Sequence, residues 1–259
     1  VKSALVRGDR STLPRDTRLE HEEQQMARTS RRSWTADEVV QALNAAADPQ
    51  IATIYQRRNP AGTVLGVRYG DMEKLVKQIE PDAALAAELW ENGAAEARTV
   101  AIRVLPRGGL TEAQVDAWVQ DLEFPPLADE FAKAVYHTPW ARDRMLRWIE
   151  DERDFMQRTG WSLMYGFAAD PTDTFTETEW KAWLERIAAT IHDAPNWSRE
   201  AMNNLPIAIG LRSPALFDAA IAAANRYGRV SVFHGDKTNC KVNDPVALLN
   251  NPRTKVVRY

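Results

Sequence analysis

The chain has one cysteine, Cys240, so no disulfide framework braces it, and a reducing compartment is the simple expectation. It has no run of about 18 apolar residues, the length that a membrane span needs. Its first residues, "VKSALVRGDR", lack the apolar core of a secretion signal. A cytoplasmic protein is expected on these grounds. Positive charge is not in excess either: the formal net charge is -3. Residues 1–33 carry +3 and the remainder -6. A nucleic-acid binder is more comfortably basic, although a local basic patch can coexist with an acidic total. Alternation at period two is almost absent, "VSVFH" being the exception, so no sheet is expected.

What the chain does have is 259 residues, 44% of them apolar, enough to bury a sizeable core. It also has 9 tryptophans, more than either tyrosine or phenylalanine, and indoles serve in cores and on binding faces alike. Residues 1–33 are polar and without hydrophobic period, which reads as a flexible extension. Met26, ahead of "ARTSRR", is an alternative start, and a basic arm touching phosphates is the functional alternative.

From residue 34 onward helical periodicity dominates. "SWTADEVVQALNAAAD" opens with a capping signal, Thr35 or Ser33 ahead of Asp37 and Glu38, and then repeats Val39, Val40, Leu43 and Ala46 at helical spacing. "PQIATIYQRR", "YGDMEKLVKQI" and "PDAALAAELWEN" follow, separated by breaks such as "NPAG". Further helices are expected over 94–105, 111–122, 125–136, 139–150, 154–168, 177–192, 197–210 and 213–227. About twelve helices of roughly 9–17 residues, joined by short turns, must be antiparallel neighbours. Successive pairs recur at roughly 35–45 residues, as in helical solenoids. The fold class expected is all-α, a superhelix of HEAT-like antiparallel pairs with a concave groove, and a compact helical bundle is the rival. The expected organisation is an extension over 1–33, a repeat domain over 34–230, and a tail over 231–259 that closes the stack.

The stretch "WIEDERDFMQRTGWSLM", residues 148–164, carries two faces. Phe155, Thr159, Gly160, Leu163 and Met164 form one apolar stripe. Arg158, Trp161 and Tyr165 fall three and four apart on another. One reading packs that second face against the next repeat. The other puts Arg158 on a phosphate and Trp161 or Tyr165 beside a sugar or base. Gly160 and Gly166 would let a neighbouring helix approach closely. Arg142, Arg144, Arg147 and Arg153 add positive charge nearby, but Asp143, Glu150, Asp151, Glu152 and Asp154 dilute it, and solvated ion pairs explain the run equally well.

Three other stretches bear chemistry. In "EFPPLADEFAKAV", Asp129 and Glu130 are the acids of the helix's central turns. A carboxylate in a DNA-facing groove makes sense opposite a cationic purine or the sugar cation it leaves behind; the plain alternative is a solvated surface pair. In "SVFHGDKTNCKVNDP", His234, Asp236 and Cys240 lack regular metal-ligand spacing. Lys237 and Lys241 would lower the Cys240 pKa and favour a reactive thiol, with His137, His192 or His234 as base; a polar closing loop is the alternative. In "REAMNNLPIAIGLRSP", Pro206 is expected to kink the helix, with Asn203 and Asn204 either bonded in the core or walling a pocket.

Taken in order, "TVLGVRYGDMEKLVKQI", "ELWENGAAEARTVAIRVL" and "WIEDERDFMQRTGWSLMYGF" resemble the helical-repeat alkylpurine DNA glycosylases of the AlkD type, across roughly residues 48–225. The resemblance implies a stack of HEAT-like pairs whose concave side holds double-stranded DNA. It implies removal of cationic 3- or 7-alkylpurines by glycosidic hydrolysis without base flipping, with no metal or organic cofactor; a monomer is expected. Carried over, the family's arginine falls on Arg158. Its Trp-Trp-Asp-x-x-Asp run falls on "LADEFA", with Leu127 and Ala128 at the tryptophans, Asp129 at the first aspartate and Ala132 at the catalytic one. Its second groove tryptophan falls near Asn204. The scaffold and clamp are thus matched and the catalytic set altered. Catalytic candidates are Asp129 and Glu130; DNA-binding candidates are Arg158, Trp161, Tyr165, Arg147, Arg153 and Asn204. The alternatives are a non-catalytic repeat scaffold for DNA or protein, and an enzyme with a Cys240 nucleophile.

Overall fold

The computed structural model describes residues 31–58, 62–236 and 238–251. The notional extension therefore lies outside the described residues up to residue 30. Arg32 is already tied in by a parallel bridge to Ile79, with its N–H on the Gln78 carbonyl and its own carbonyl accepting from Glu80 N–H. The "NPAG" break also lies largely outside the described residues.

Thirteen α-helices are found among the described residues, and no strand. They are α1 (Ala36–Ala45), α2 (Pro49–Gln56), α3 (Tyr69–Val76), α4 (Ala83–Glu91), α5 (Ala95–Val104), α6 (Glu112–Trp118), α7 (Pro125–Tyr136), α8 (Ala141–Ile149), α9 (Asp154–Ala169), α10 (Glu177–Thr190), α11 (Asn196–Gly210), α12 (Pro214–Tyr227) and α13 (Pro245–Leu249). Local signals fix many starts. Thr35 forms a capping box with Glu38, Thr111 with Gln114, and Thr176 with Glu179, each satisfying N–H groups that a helix end leaves open. Pro125 and Pro214 open α7 and α12, where a missing N–H costs nothing.

Differences from expectation sit at ends. The 111–122 segment ends as a 3-10 turn, Val119–Asp121, which presents Asp121 to the Trp90 indole at 2.8 Å. Pro139 precedes α8 rather than opening it. Pro206 sits within α11, which continues to Gly210. "VSVFH" forms no strand. The tail adds a short helix, α13, packed on α11 and α12.

The helices stack as antiparallel pairs. One row runs α3, α5, α7, α9, α11, each packed against the next, while α4, α8 and α12 cover α5, α9 and α11 from the other side. The core is continuous through the stack. All nine tryptophans are buried or half-buried, so the indoles hold the fold rather than decorate a surface. The turn Leu65–Val67 is one fixed point: the buried Glu96 carboxylate accepts from the N–H groups of Leu65, Gly66 and Val67 at 2.9, 2.7 and 3.2 Å. Gly66 has φ 88°, and a Cβ there would lie 2.4 Å from the Asp48 carbonyl oxygen.

Candidate nucleic-acid interface

Helix α9 is held at short range on two sides. A Cβ on Gly160 would meet the Ile149 nitrogen of α8 at 2.7 Å, and one on Gly166 would meet the Tyr136 ring of α7 at 3.0 Å. The close approach expected of both glycines is therefore present, and it decides where the rest of α9 points. Thr159, Leu163 and Met164 are buried, as the apolar stripe requires.

The second face does not behave as one face. Trp161 is 2% exposed and meets Trp183 edge-on at 5.9 Å, with the Arg186 guanidinium over both rings. It is packing between repeats, and its assignment to DNA is corrected on that ground: an indole enclosed on all sides reaches no ligand. Arg158 is 4% exposed. Its Nε and Nη2 donate to Asp129 Oδ1 and Oδ2 at 3.1 and 2.7 Å, and its Nη1 donates to Glu200 Oε2 and the Trp197 carbonyl, both at 2.9 Å. A guanidinium bonded on three sides is not a free clamp for phosphate, which corrects that expectation too. Tyr165 alone of the three is well exposed.

The ion pairs make a chain. Asp129 also accepts from the Ser162 hydroxyl at 2.7 Å. Glu200 continues to His234 Nε2 at 3.1 Å, and the His234 ring meets Trp197 edge-on. Burial pushes the Glu200 carboxyl up, but the Arg158 charge and bonds from His234 and Arg158 outweigh it and hold the group below the ordinary carboxylate range.

Beside this chain lies a cavity of about 780 Å³ between α7, α9, α11 and the tail. Asp129, Arg158, Tyr165 and Asn204 all line it, as does Ala132. Four of the residues singled out from sequence thus converge. Asn204 Oδ1 accepts from the Asn243 amide at 2.8 Å, whereas Asn203 is buried, donating to the Asn243 carbonyl and accepting from the Tyr227 hydroxyl. Of the two expectations for this pair, each residue fulfils one. Asp170 closes the far wall; bonds from the Tyr136 hydroxyl and from Thr172 hold its carboxyl at about 2.

The other candidates stand elsewhere. Glu130 faces a smaller neighbouring cavity, where it binds Arg103 at 3.2 Å and Lys133 at 2.9 Å. Arg147 is exposed, 3.8 Å from Asp143, and Arg153 is engaged by Asp151 and Gln120; both stand outside the cavity. Arg144 is buried among Glu112, Asp116 and Asp143. Cys240 is exposed and accepts from Arg58, and no histidine among the described residues bonds to it. Sequence reasoning missed Ser162, Glu200, Tyr136 and Asp170. Ser162 lies one turn after Arg158, a readable signal; Glu200, the second carboxylate that neutralises the buried arginine, had no signal of position.

Comparison with known proteins agrees with the scaffold. No curated protein matches. A solved structure described as "a new family of proteins related to the HEAT-like repeat DNA glycosylases with affinity for branched DNA structures" superposes with a TM-score of 0.73. That match covers 83% of this chain and 92% of the other at 24% identity, so it speaks for the fold: an all-α superhelix of HEAT-like pairs. The model of the family described as DNA alkylation repair enzyme matches residues 39–238, more than the 48–225 over which the resemblance was read. With most of its length matched in this way, the chain belongs to the DNA alkylation repair family.

Proposed function

We propose that this protein is a DNA-binding member of its family that engages duplex DNA on the face bearing the Asp129–Arg158 cavity and leaves the base–sugar bond intact. The observation that carries this reading is the state of the carboxylates. Ala132 occupies the position where the resemblance expects a catalytic aspartate, and it lines the cavity. Asp129, one helical turn away, accepts two bonds from Arg158 and one from Ser162. A carboxylate already compensated by a guanidinium has little field left for a developing sugar cation. Asp170 is bonded to Tyr136 and Thr172, and Glu130 to two cations in the next cavity. The relative's printed affinity for branched DNA makes branched substrates the natural first comparison with plain duplex.

The test has two arms. Fluorescence anisotropy with labelled duplex and with a branched junction, at several salt concentrations, reads binding; log affinity is expected to fall linearly with log salt. Incubation with DNA carrying 7-methylguanine or 3-methyladenine reads base release, and none is expected. Absence of DNA binding at low salt overturns the reading. Release of the methylated base overturns its second half and makes Asp129 the first residue to substitute.

A further inference from the structure

The tail makes an excursion from the last repeats to the first and back. At one end the Asn196 side chain clasps the Phe233 backbone, donating to its carbonyl at 2.9 Å and accepting from its N–H at 2.8 Å. At the other end Gly235, with φ 95°, lies so close to α2 that a Cβ would meet the Arg57 carbonyl oxygen at 2.6 Å. Arg58 then donates to Cys240, and Asn243 returns the chain to Asn203 and Asn204 on α11. Residues 231–236 and 238–243 therefore strap the C-terminal repeats to the N-terminal ones.

Along the first part of this strap the side chains alternate. Val230 and His234 are buried, the latter over Glu200, and Val232 is half-buried, while Ser231 and Phe233 face outward. Phe233 is 64% exposed, the most exposed large apolar side chain among the described residues. An isolated exposed phenylalanine is unremarkable. This one stands on a backbone fixed by two hydrogen bonds and in a basic neighbourhood. Arg57, Arg58, Arg199, Arg229 and Lys241 lie on the strap or its anchors. Arg199 bonds backbone carbonyls of Ala194 and Ser231, and none of the five has a carboxylate partner among the described residues. The acids here are Asp236 and Asp193, both exposed, Asp154, bonded to the N–H groups of Trp197 and Ser198, Asp244, which caps α13, and Glu200, paired with Arg158. In a protein of net charge -3, the strap and its anchors thus carry five cations without a carboxylate partner among the described residues, and one exposed aromatic ring.

We propose that the strap is a DNA-contact element in its own right: the five cations meet backbone phosphates, and Phe233 stacks on a nucleobase that is unpaired or poorly stacked. Cations near an aromatic platform are the elementary means of holding exposed bases, since every base offers a π-face and every nucleotide a phosphate. The fixed backbone presents the ring without an ordering cost at binding. This inference rests on the DNA-binding reading above and adds to it which DNA is preferred: one with a disrupted step over a perfect duplex.

The experiment uses the full chain and three labelled DNAs: a perfect duplex, the same duplex with one unpaired 2-aminopurine, and a branched junction. Phe233→Ala is expected to weaken binding of the unpaired-base DNA about tenfold, to leave the perfect duplex within about twofold, and to abolish the 2-aminopurine quenching that the parent chain gives. Arg229→Gln with Lys241→Gln is expected to weaken all three DNAs alike and to flatten the salt dependence. All three residues are exposed, and unchanged circular dichroism and melting establish that the variants fold. Equal affinity of parent and Phe233→Ala for the unpaired-base DNA, or displacement of DNA by polyglutamate of matched charge as readily as by unlabelled DNA, overturns the proposal while the DNA-binding reading stands. Failure of the parent chain to bind any of the DNAs overturns both.

Discussion

Arg158 and Asp129 face each other as fork to fork, Nε to Oδ1 at 3.1 Å and Nη2 to Oδ2 at 2.7 Å, with the arginine almost wholly enclosed. The geometry makes Arg158 part of the protein's interior electrostatics. Replacing it by alanine or methionine strands Asp129 and Glu200 without their cation. Removing one partner of a buried pair costs about 3–5 kcal/mol. Urea denaturation of Arg158→Met is expected to show a loss of that order, and Arg158→Lys a smaller one, since an ammonium cannot make the two-pronged bond. A variant as stable as the parent chain would return Arg158 to the role of a free phosphate ligand.

Much of this was legible in the chain itself, for identifiable reasons. Helix positions follow from the 3.6-residue period and from caps such as Thr35 and Thr176, all local signals. The convergence of Asp129, Arg158 and Asn204 on one cavity was legible through the resemblance, because a repeat scaffold fixes which turns of α7, α9 and α11 face inward, and that of Tyr165 through its helical spacing from Arg158. Burial was not legible. Arg158 and Trp161 sit three residues apart, and both are enclosed: one by acids from α7 and α11, the other by Trp183 on α10. Neither set of neighbours has a fixed sequence offset. The strap was legible only as a polar closing loop, because its anchor on Arg57 and Arg58 spans about two-thirds of the chain.

Acid stability carries a mark of the same ion chain. Burial raises the Glu200 carboxyl, but Arg158 and His234 overcome it, so its folded pKa lies below the unfolded value. Such a group binds fewer protons folded than unfolded. Its contribution is full above the unfolded pKa, about 4.3, and is lost as pH falls through the lower folded one. Stability measured by denaturant at a series of pH values is expected to drop below about pH 4.5, and the drop to be shallower in Glu200→Gln. Identical slopes in the two proteins would assign acid sensitivity to other carboxylates, Glu130 and Asp170 first.

Gly160 sets the distance between α8 and α9. The Ile149 nitrogen and the Trp148 carbonyl carbon would lie 2.7 and 2.9 Å from an added Cβ, and both are backbone atoms that cannot swing aside. Gly160→Ala gains helix propensity, worth about 1 kcal/mol in an open helix. Here overpacking reverses the sign, and a net loss of about 1–3 kcal/mol is expected in thermal or chemical unfolding. Gly70 supplies the control: nothing lies within 4 Å of its added Cβ, and it sits inside α3, so Gly70→Ala is expected to stabilise.

Glu96 is the counterpart of Arg158 at the other end of the stack. Its carboxylate is buried on α5 and gathers three successive N–H groups of the Leu65–Val67 turn, within the stretch that first suggested the family. That turn cannot satisfy the three donors by itself, because Gly66 holds a left-handed conformation pressed against α2. Glu96→Ala leaves them enclosed without an acceptor, at about 1–3 kcal/mol for each unsatisfied group. Chemical denaturation is expected to show a loss of at least about 3 kcal/mol for Glu96→Ala and less for Glu96→Gln, which keeps one acceptor oxygen. Hydrogen exchange locates the effect. The amides of residues 65–67 are expected to lose protection in Glu96→Gln while those of α9 keep theirs, and uniform protection in the variant would show that the turn is held by its packing on α2 instead.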